Sequence, residues 1–292
     1  MKAGLYSAAQ VSMEAYTQDK LGDQPTLSAG LAQTLLTRSP LHAKWSHPRL
    51  SPDYETQEKT VYDIGTSAHA LLLEGSDKCI AWMHYDDYRK KEAQEAKAAA
   101  RLQGLTPVLA KYQKPLGDMV EAAKAYISKT ELAGIFDNGE PEITGLWDER
   151  GVWCRMRIDW LSKDRRVMLN YKTARSAQPD QFIRAMPGLG YDLSAVFYER
   201  GMKMLGHDAQ EFFFAQEITP PYACSLVGLS PALRDIAERK RDFAMTLWAG
   251  CLKDNKWNGY PSRICYAEPT PWQLAQHEED MAFNDRMELL DA

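Results

Sequence analysis

The chain has 292 residues, 45% hydrophobic and 26% charged, with a formal net charge of −5, enough for one large domain or two small ones. No stretch approaches the roughly 18 to 20 apolar residues of a membrane span, and the opening Met1–Tyr16 lacks the apolar core of a signal peptide, so a cytoplasmic protein is expected. The five cysteines (Cys79, Cys154, Cys224, Cys251, Cys265) are scattered with no C-x-x-C pair, which excludes a disulfide framework, a zinc ribbon and an iron–sulfur cluster.

In chain order, residues 1–25 show no regular period and are expected to be weakly ordered. Ser28 is placed to cap a helix to about Thr37, and Ser39-Pro40 to open a second, with proline in its first turn. A polar loop precedes Asp63–Leu73 (DIGTSAHALLL), a buried helix carrying His69. Asp86–Ala100 is rich in Ala, Lys and Glu without an apolar stripe, which predicts a solvated helix or a mobile arm reaching residue 104. Lys90, Lys91, Lys97 and Arg101 on it are available for backbone phosphates, although solvation alone is the better explanation. Lys114–Leu132 returns to helical spacing.

The middle of the chain changes period. Glu142–Trp147, Val152–Leu161 and Arg166–Lys172 are β-rich runs separated by the turn sequences Asp148-Glu149-Arg150-Gly151 and Ser162-Lys163-Asp164-Arg165, an antiparallel meander. Helices are predicted from near Pro179 and over Tyr191–Met204, then strands over Glu211–Glu217 and Tyr222–Leu229. Ser230-Pro231 and Thr270-Pro271 cap the last two helices. The order implies an α/β (α+β) fold, a central mixed β-sheet flanked by helices, as a single domain over residues 1–292 with its core at about 60–252.

Charge is unevenly spread. Gly151 to Arg184 holds eight basic residues (Arg155, Arg157, Lys163, Arg165, Arg166, Lys172, Arg175, Arg184) against three acids (Asp159, Asp164, Asp180), which suggests a phosphate-facing surface.

Residues two apart in a strand share a face. Asn170 and Lys172 therefore project together while Val167, Leu169 and Tyr171 face the core, and Arg155, Arg157 and Asp159 share a face of the preceding strand. The intervening turn brings Asp159 near Asn170. Phosphodiester hydrolysis needs a hard cation and a group that positions water; Asp159 suits the first and Lys172 the second. Spacing leaves the alternative that Asp159 and Lys172 form a salt bridge at a strand end.

Arg157-Ile158-Asp159-Trp160, followed after a gap by Asn170-Tyr171-Lys172-Thr173, resembles the "RxD … D-x-K-T" core of the PD-(D/E)XK nucleases, and more narrowly the RecE-type exonucleases of phage recombination systems. Gly65-Thr66-Ser67-Ala68-His69-Ala70-Leu71-Leu72-Leu73-Glu74 is similar to that family's "GTALHxLLLE" helix. Pro141-Glu142-Ile143-Thr144 resembles its "PEVS" strand, and Ala215-Gln216-Glu217 before Pro220-Pro221-Tyr222 its "VAQEKxPPY" segment. The resemblance implies a metal site for Mg²⁺, with Mn²⁺ as a substitute, held by His69, Asp159 and position 170. It makes Lys172 the catalytic lysine and gives Glu142 a part in binding metal or ordering water.

Two departures stand out. Asn170 replaces an acid, which weakens metal binding and predicts slow or absent cleavage. In Tyr191–Tyr198, similar to the helix of the family's "QxxxY" motif, Ser194 stands at the glutamine position. Tyr191, Ser194 and Tyr198 share a helix face and are expected, with Arg155, Arg157 and Arg175, to contact DNA; for the tyrosines, burial with satisfied hydroxyls is the alternative. The implied partners are double-stranded DNA ends, further copies of the chain forming a ring, and a RecT-like single-strand annealing protein. A DNA-binding protein that no longer cuts, or a single-strand or structure-specific nuclease, are the competing functions.

Overall fold

The computed structural model describes residues 1–52, 54 and 63–290. The polar loop expected before Asp63 lies mostly outside them. In chain order the elements are β1 (Gly4–Tyr6), α1 (Met13–Thr17), α2 (Ala29–Thr37), α3 (Pro40–Trp45), α4 (Asp63–His69), β2 (Ile80–Met83), α5 (Lys91–Leu102), β3 (Thr106–Leu109), α6 (Gln113–Ile127), β4 (Gly139–Glu149), β5 (Val152–Ser162), β6 (Val167–Ala174), α7 (Pro179–Leu189), α8 (Tyr191–Met204), β7 (Gln210–Glu217), β8 (Cys224–Val227), α9 (Pro231–Asp254) and α10 (Pro271–Leu290). The chain falls into two compact units, Met1–Gly259 and Tyr260–Ala292. The second unit consists of a chain with no regular structure leading into α10.

The first unit is built on a six-stranded mixed sheet in the order β1-β4-β5-β6-β7-β8. Its β4–β5–β6 portion is the predicted antiparallel meander. The β4–β5 hairpin closes through Arg150 and Gly151, both at positive φ (58° and 83°), the left-handed pair that matches the twist of the flanking strands. β6 then pairs parallel with β7, a connection that requires a crossover, supplied by α7 and α8. Helices cover both faces of the sheet. Leu72, Leu116, Met119 and Ile127 pack with Leu169, Tyr171 and Phe214 on one face, while Leu31, Leu35, Phe197 and Trp248 pack with Trp147, Met156 and Met168 on the other. β6 is thus buried on both sides, and the face carrying Asn170 is covered instead of projecting into solvent.

Residues 1–25, expected to be weakly ordered, are built into the sheet. β1 pairs antiparallel with β4, and Val11 and Leu21 are each only 1% exposed. The core accordingly begins well before residue 60, since Leu27, Leu31 and Leu35 belong to it. A buried polar cluster fixes this segment: Asp19 accepts from Thr26 N (2.9 Å) and Thr26 Oγ1 (2.6 Å), and pairs with Arg155 Nη1 at 3.0 Å and His47 Nε2 at 3.2 Å. Burial pushes the Asp19 carboxyl up, but the His47 hydrogen bond and the Arg155 charge outweigh it and hold its pKa below the usual value. A folded-state pKa that is depressed contributes stability above the unfolded value and loses it as pH falls through the folded one. Asp19→Ala should therefore cost about 3–5 kcal/mol at neutral pH by leaving Arg155 buried and unpaired, and that difference should begin to shrink only as pH falls below about 4. Urea midpoints of both proteins across pH check this; a pH-independent gap would contradict it.

The proposed arm is also docked. α5 buries Ala93 and Ala100, and its neighbours β2 and β3 form a small parallel pair that the sequence did not announce. Arg101 binds Asp63 at 3.0 Å and Lys97 lies 3.9 Å from the same carboxylate, so these two cations face the protein. The only apolar side chains on the buried stripe are methyls, too small to register as a hydrophobic period.

Candidate metal centre

β5 and β6 pair only at Trp160↔Leu169 and Leu161↔Met168. One step further, where Asp159 would face Asn170, the strands part. The freed Tyr171 N–H donates to Asp159 Oδ2 at 3.0 Å, and Lys172 Nζ donates to the same oxygen at 3.4 Å. On the other side of Asp159 the β4–β5 ladder skips Glu142, between the pairs Pro141↔Trp160 and Ile143↔Ile158. Glu142 takes a φ of 58°, a conformation that costs a non-glycine residue of order 1 kcal/mol or more and concentrates at functional sites.

α4 brings His69 to this opening. Gly65 makes the approach possible, since a Cβ there would stand 2.8 Å from Thr173 Oγ1 on β6. His69 Nε2 lies 3.5 Å from Glu142 Oε1 and 3.6 Å from Asp159 Oδ2. The helix then continues as a π turn over Ala70–Glu74. Hydrogen bonds from i to i+5 bring residues five apart onto nearly one side, so Glu74 joins His69. Among the described residues, His69, Glu74 and Glu142 offer ligand atoms within 4.8 Å of one another. Carboxylates with an imidazole suit a divalent cation. Burial and the neighbouring Glu142 both raise the Glu74 pKa, a repulsion that a cation would relieve.

Glu74 was quoted in the sequence motif but given no role; α-helical spacing hid it, because only the π turn aligns it with His69. Asn170, expected among the ligands, gives its Nδ2 to Glu211 Oε1 at 2.5 Å, and it is 7% exposed. Burial raises the Glu211 carboxyl to about 8, against the pull of Asn170 and Lys172.

The site is electrostatically coupled. Burial raises the Asp159 pKa, but Lys172, His69 and the Tyr171 N–H together hold it below the usual value. For Lys172, burial works to lower it and the charges of Asp159, Tyr191 and Glu211 carry it above, so the lysine is a firm cation at neutral pH. His69 follows the same pattern: burial lowers it, and Asp159 and Glu142 raise it.

Arg155 and Arg157 are largely buried and bonded internally, although Arg157 also lines the cleft beside Glu142 and Asp159. Arg155 is spent on Asp19 and Thr26. Arg157 binds the Glu142 carboxylate and donates to Val11 O (3.1 Å) and Thr144 Oγ1 (3.0 Å). Both guanidinium groups also lie against the Tyr16 ring, 5.4 and 5.8 Å from its centre. Strand alternation put them on one face, but whether that face was covered depended on residues 1–25. Of the remaining basic residues, Lys163, Arg165 and Arg166 sit at the β5–β6 turn, the opposite end of β6 from Lys172, while Arg175 is exposed just past the end of β6.

This cluster opens into a cleft of about 740 Å³ lined by His69, Glu74, Glu142, Asp159 and Lys172, with Tyr16, Tyr191 and Tyr198 among its walls. Lys172 Nζ lies 5.9 Å from the centre of the Tyr191 ring, and Tyr198 Oη accepts from Arg157 N at 3.5 Å. Ser194 is half-buried and is not among the described residues that line the cleft, a shorter side chain than the glutamine expected there. If His69 and Glu74 hold a cation, His69→Ala and Glu74→Gln should each weaken Mn²⁺ binding by about 10-fold or more. Calorimetric titration without DNA measures this, and unchanged affinity in both would remove them from the site.

Residues 38–260 match the profile of the family described as the PDDEXK-like domain of unknown function (DUF3799). The chain belongs to this DUF3799 family. The matched region contains His69, Glu142, Asp159, Asn170 and Lys172 and ends where the second compact unit begins. Among solved structures, a candidate exonuclease from Eubacterium rectale shares the fold, with a TM-score of 0.58 at 12% identity, over 90% of this chain and 97% of that one. A phage-related exonuclease from Haemophilus somnus 129PT, 15% identical over 65% of this chain and 95% of its own, has a TM-score of 0.29. No protein of curated function matches the sequence significantly. The PDDEXK-like assignment agrees with the sequence resemblance, and the mixed sheet flanked by helices is the fold that the resemblance implied. Among the described residues no helix is long and apolar enough to cross a membrane.

Proposed function

We propose that the chain is a Mg²⁺-dependent exodeoxyribonuclease that acts on the ends of double-stranded DNA, removing the 5′ strand to leave 3′ overhangs, with Mn²⁺ as a substitute. The convergence of His69, Glu142, Asp159 and Lys172 on one cleft carries this reading. A divalent cation would polarise the phosphoryl group and lower the pKa of water. His69, Glu74 and Glu142 would hold it, with Asp159 beside them. Lys172, kept protonated by Asp159, neutralises charge that develops on the phosphoryl oxygens. Arg157 fixes the Glu142 carboxylate, and Tyr191 and Tyr198 offer ring surface and hydroxyls to the nucleotide. Arg175 is free of the internal network that consumes Arg155 and Arg157 and suits a backbone phosphate.

In this reading the protein is cytoplasmic, forms a ring threaded by DNA, and delivers its single-stranded product to a RecT-like annealing protein. The ring and the annealing partner rest on the sequence resemblance, and the location on the sequence's lack of a membrane span or signal-peptide core. End-labelled linear duplex and a closed circle, incubated with Mg²⁺, test the activity: stepwise loss of the 5′ label from the linear substrate alone is expected. Equal cutting of the circle would instead indicate an endonuclease. Gel filtration with DNA tests the ring, and a monomer at every concentration would remove it. One observation favours a second reading, a DNA-binding protein that no longer cuts. The side chain of Asn170 carries no charge and gives its Nδ2 to Glu211.

A further inference from the structure

Part of the wall of the cleft that holds Glu142 comes from the start of the chain. Ala8, Met13 and Tyr16 line it, and all three precede residues 38–260, the part that matches the family profile. The segment is fixed there by bonds near and far. β1 pairs with β4 through Tyr6↔Thr144, Ser12 caps α1 by accepting from Ala15 N at 3.1 Å, and just past α1 the buried Asp19 joins Arg155 and Thr26.

This segment also holds the guanidinium of Arg157. Nη1 donates to Val11 O at 3.1 Å and to Thr144 Oγ1 at 3.0 Å, and the group lies 5.8 Å from the centre of the Tyr16 ring. Tyr16 is itself hydrogen-bonded to Tyr198. With its other edge Arg157 donates from Nε to Glu142 Oε2, while Glu142 Oε1 lies 3.5 Å from His69 Nε2. Arg157 thus takes one oxygen of the carboxylate, and the other faces the metal ligands. A cation this close to a metal site helps only while it is fixed. Released from the ring, the guanidinium can turn its fork to both carboxylate oxygens, where it competes with a divalent ion of like charge.

We propose that the N-terminal segment is part of the metal centre: Tyr16, with the main chain of Val11, is a positioning residue that clamps Arg157 to one oxygen of Glu142 and leaves Oε1 for the cation. The inference rests on the nuclease reading and deepens it. Tyr16 acts through Arg157, by the attraction of a guanidinium to an aromatic face. Its influence on the metal therefore ends if the group at position 157 carries no charge, which separates positioning from a general structural role.

The test is Mn²⁺ affinity of the full chain without DNA, read from the electron paramagnetic resonance of the free ion. Tyr16→Phe and Tyr16→Leu are compared in the natural background and in Arg157→Met, with circular dichroism to establish folding. Tyr16→Phe keeps the ring over the guanidinium and is expected to bind within about 3-fold of the natural chain. Tyr16→Leu should bind about 10-fold or more weakly, the usual scale for a group that orients a ligand. In the Arg157→Met background Tyr16→Leu should cause no further loss. If Tyr16→Leu or Arg157→Met does not fold, Tyr16→Met or Arg157→Gln replaces it. Equal weakening by Tyr16→Leu in both backgrounds, or none in either, overturns the inference while leaving the nuclease reading intact. A loss in Tyr16→Phe as large as that in Tyr16→Leu assigns the effect to the hydroxyl bond with Tyr198 and also overturns it. Absence of Mn²⁺ binding in every chain, Asn170→Asp included, overturns both.

Discussion

Lys172→Ala is expected to lower Mg²⁺-dependent hydrolysis of linear duplex DNA by about 10²–10³-fold, the scale on which a lost charge-stabilising donor acts. The ammonium group lies 3.4 Å from Asp159 Oδ2 and is the cation of the cluster that is only partly covered, with its side chain 28% exposed against 8% for Arg157. Its raised pKa means that it acts as a fixed positive charge throughout the neutral range and does not exchange a proton there. The loss should fall on kcat, with the KM for DNA changing little, because a group that stabilises charge formed only in the transition state contributes little to ground-state binding. Mn²⁺ affinity should persist, since the lysine is not a ligand. Steady-state kinetics and a metal titration on one preparation check both parts. Activity within about 3-fold of the natural chain would return the Asp159–Lys172 pair to the plain salt bridge that strand spacing alone also allowed.

Asn170→Asp should act in the opposite direction. A second carboxylate at the opening of β5 and β6 restores a charged ligand, and cleavage with saturating Mg²⁺ should rise by about 10-fold or more, within the range over which single metal-site groups act. The same substitution sets a carboxyl against Glu211, where an amide N–H now donates at 2.5 Å. Without metal the pair must either repel or share a proton, so the metal-free protein should melt earlier than the natural chain and recover on adding Mg²⁺. Thermal melts with and without the ion, alongside the digestion assay, separate the two effects. A variant that gains Mg²⁺-dependent stability yet never cuts would support the DNA-binding reading over the nuclease. One that shows neither response would leave position 170 outside the metal site.

Much of the architecture was legible because it is written in local chemistry. Ser28, Ser39 and Ser230 each cap the helix they were expected to cap, and the period-2 runs became β4, β5 and β6 in the expected antiparallel order. Strand alternation pointed to Asp159 and Lys172, the family resemblance added His69 and Glu142, and the fold brings these four to one cleft. The misreadings concern which surfaces become covered. Residues 1–25 have no period, yet Asp19 reaches Arg155 from more than a hundred positions away, and Arg157 is bound to Glu142, so two of the basic groups read as one phosphate-facing strand face are mostly buried.

The sequence by itself determined the element types, the order of the meander and the identity of most of the chemical groups, because caps, turns and strand alternation depend on neighbours a few residues apart. Tertiary structure alone decided the partners: that Glu74 joins His69 through a π turn, that Asn170 faces Glu211 across a parallel strand pair, and that two arginines are consumed inside. Burial, and the pKa shifts and hydrogen-bond assignments that follow from it, is a property of what packs against a residue, and that partner can lie anywhere in the chain.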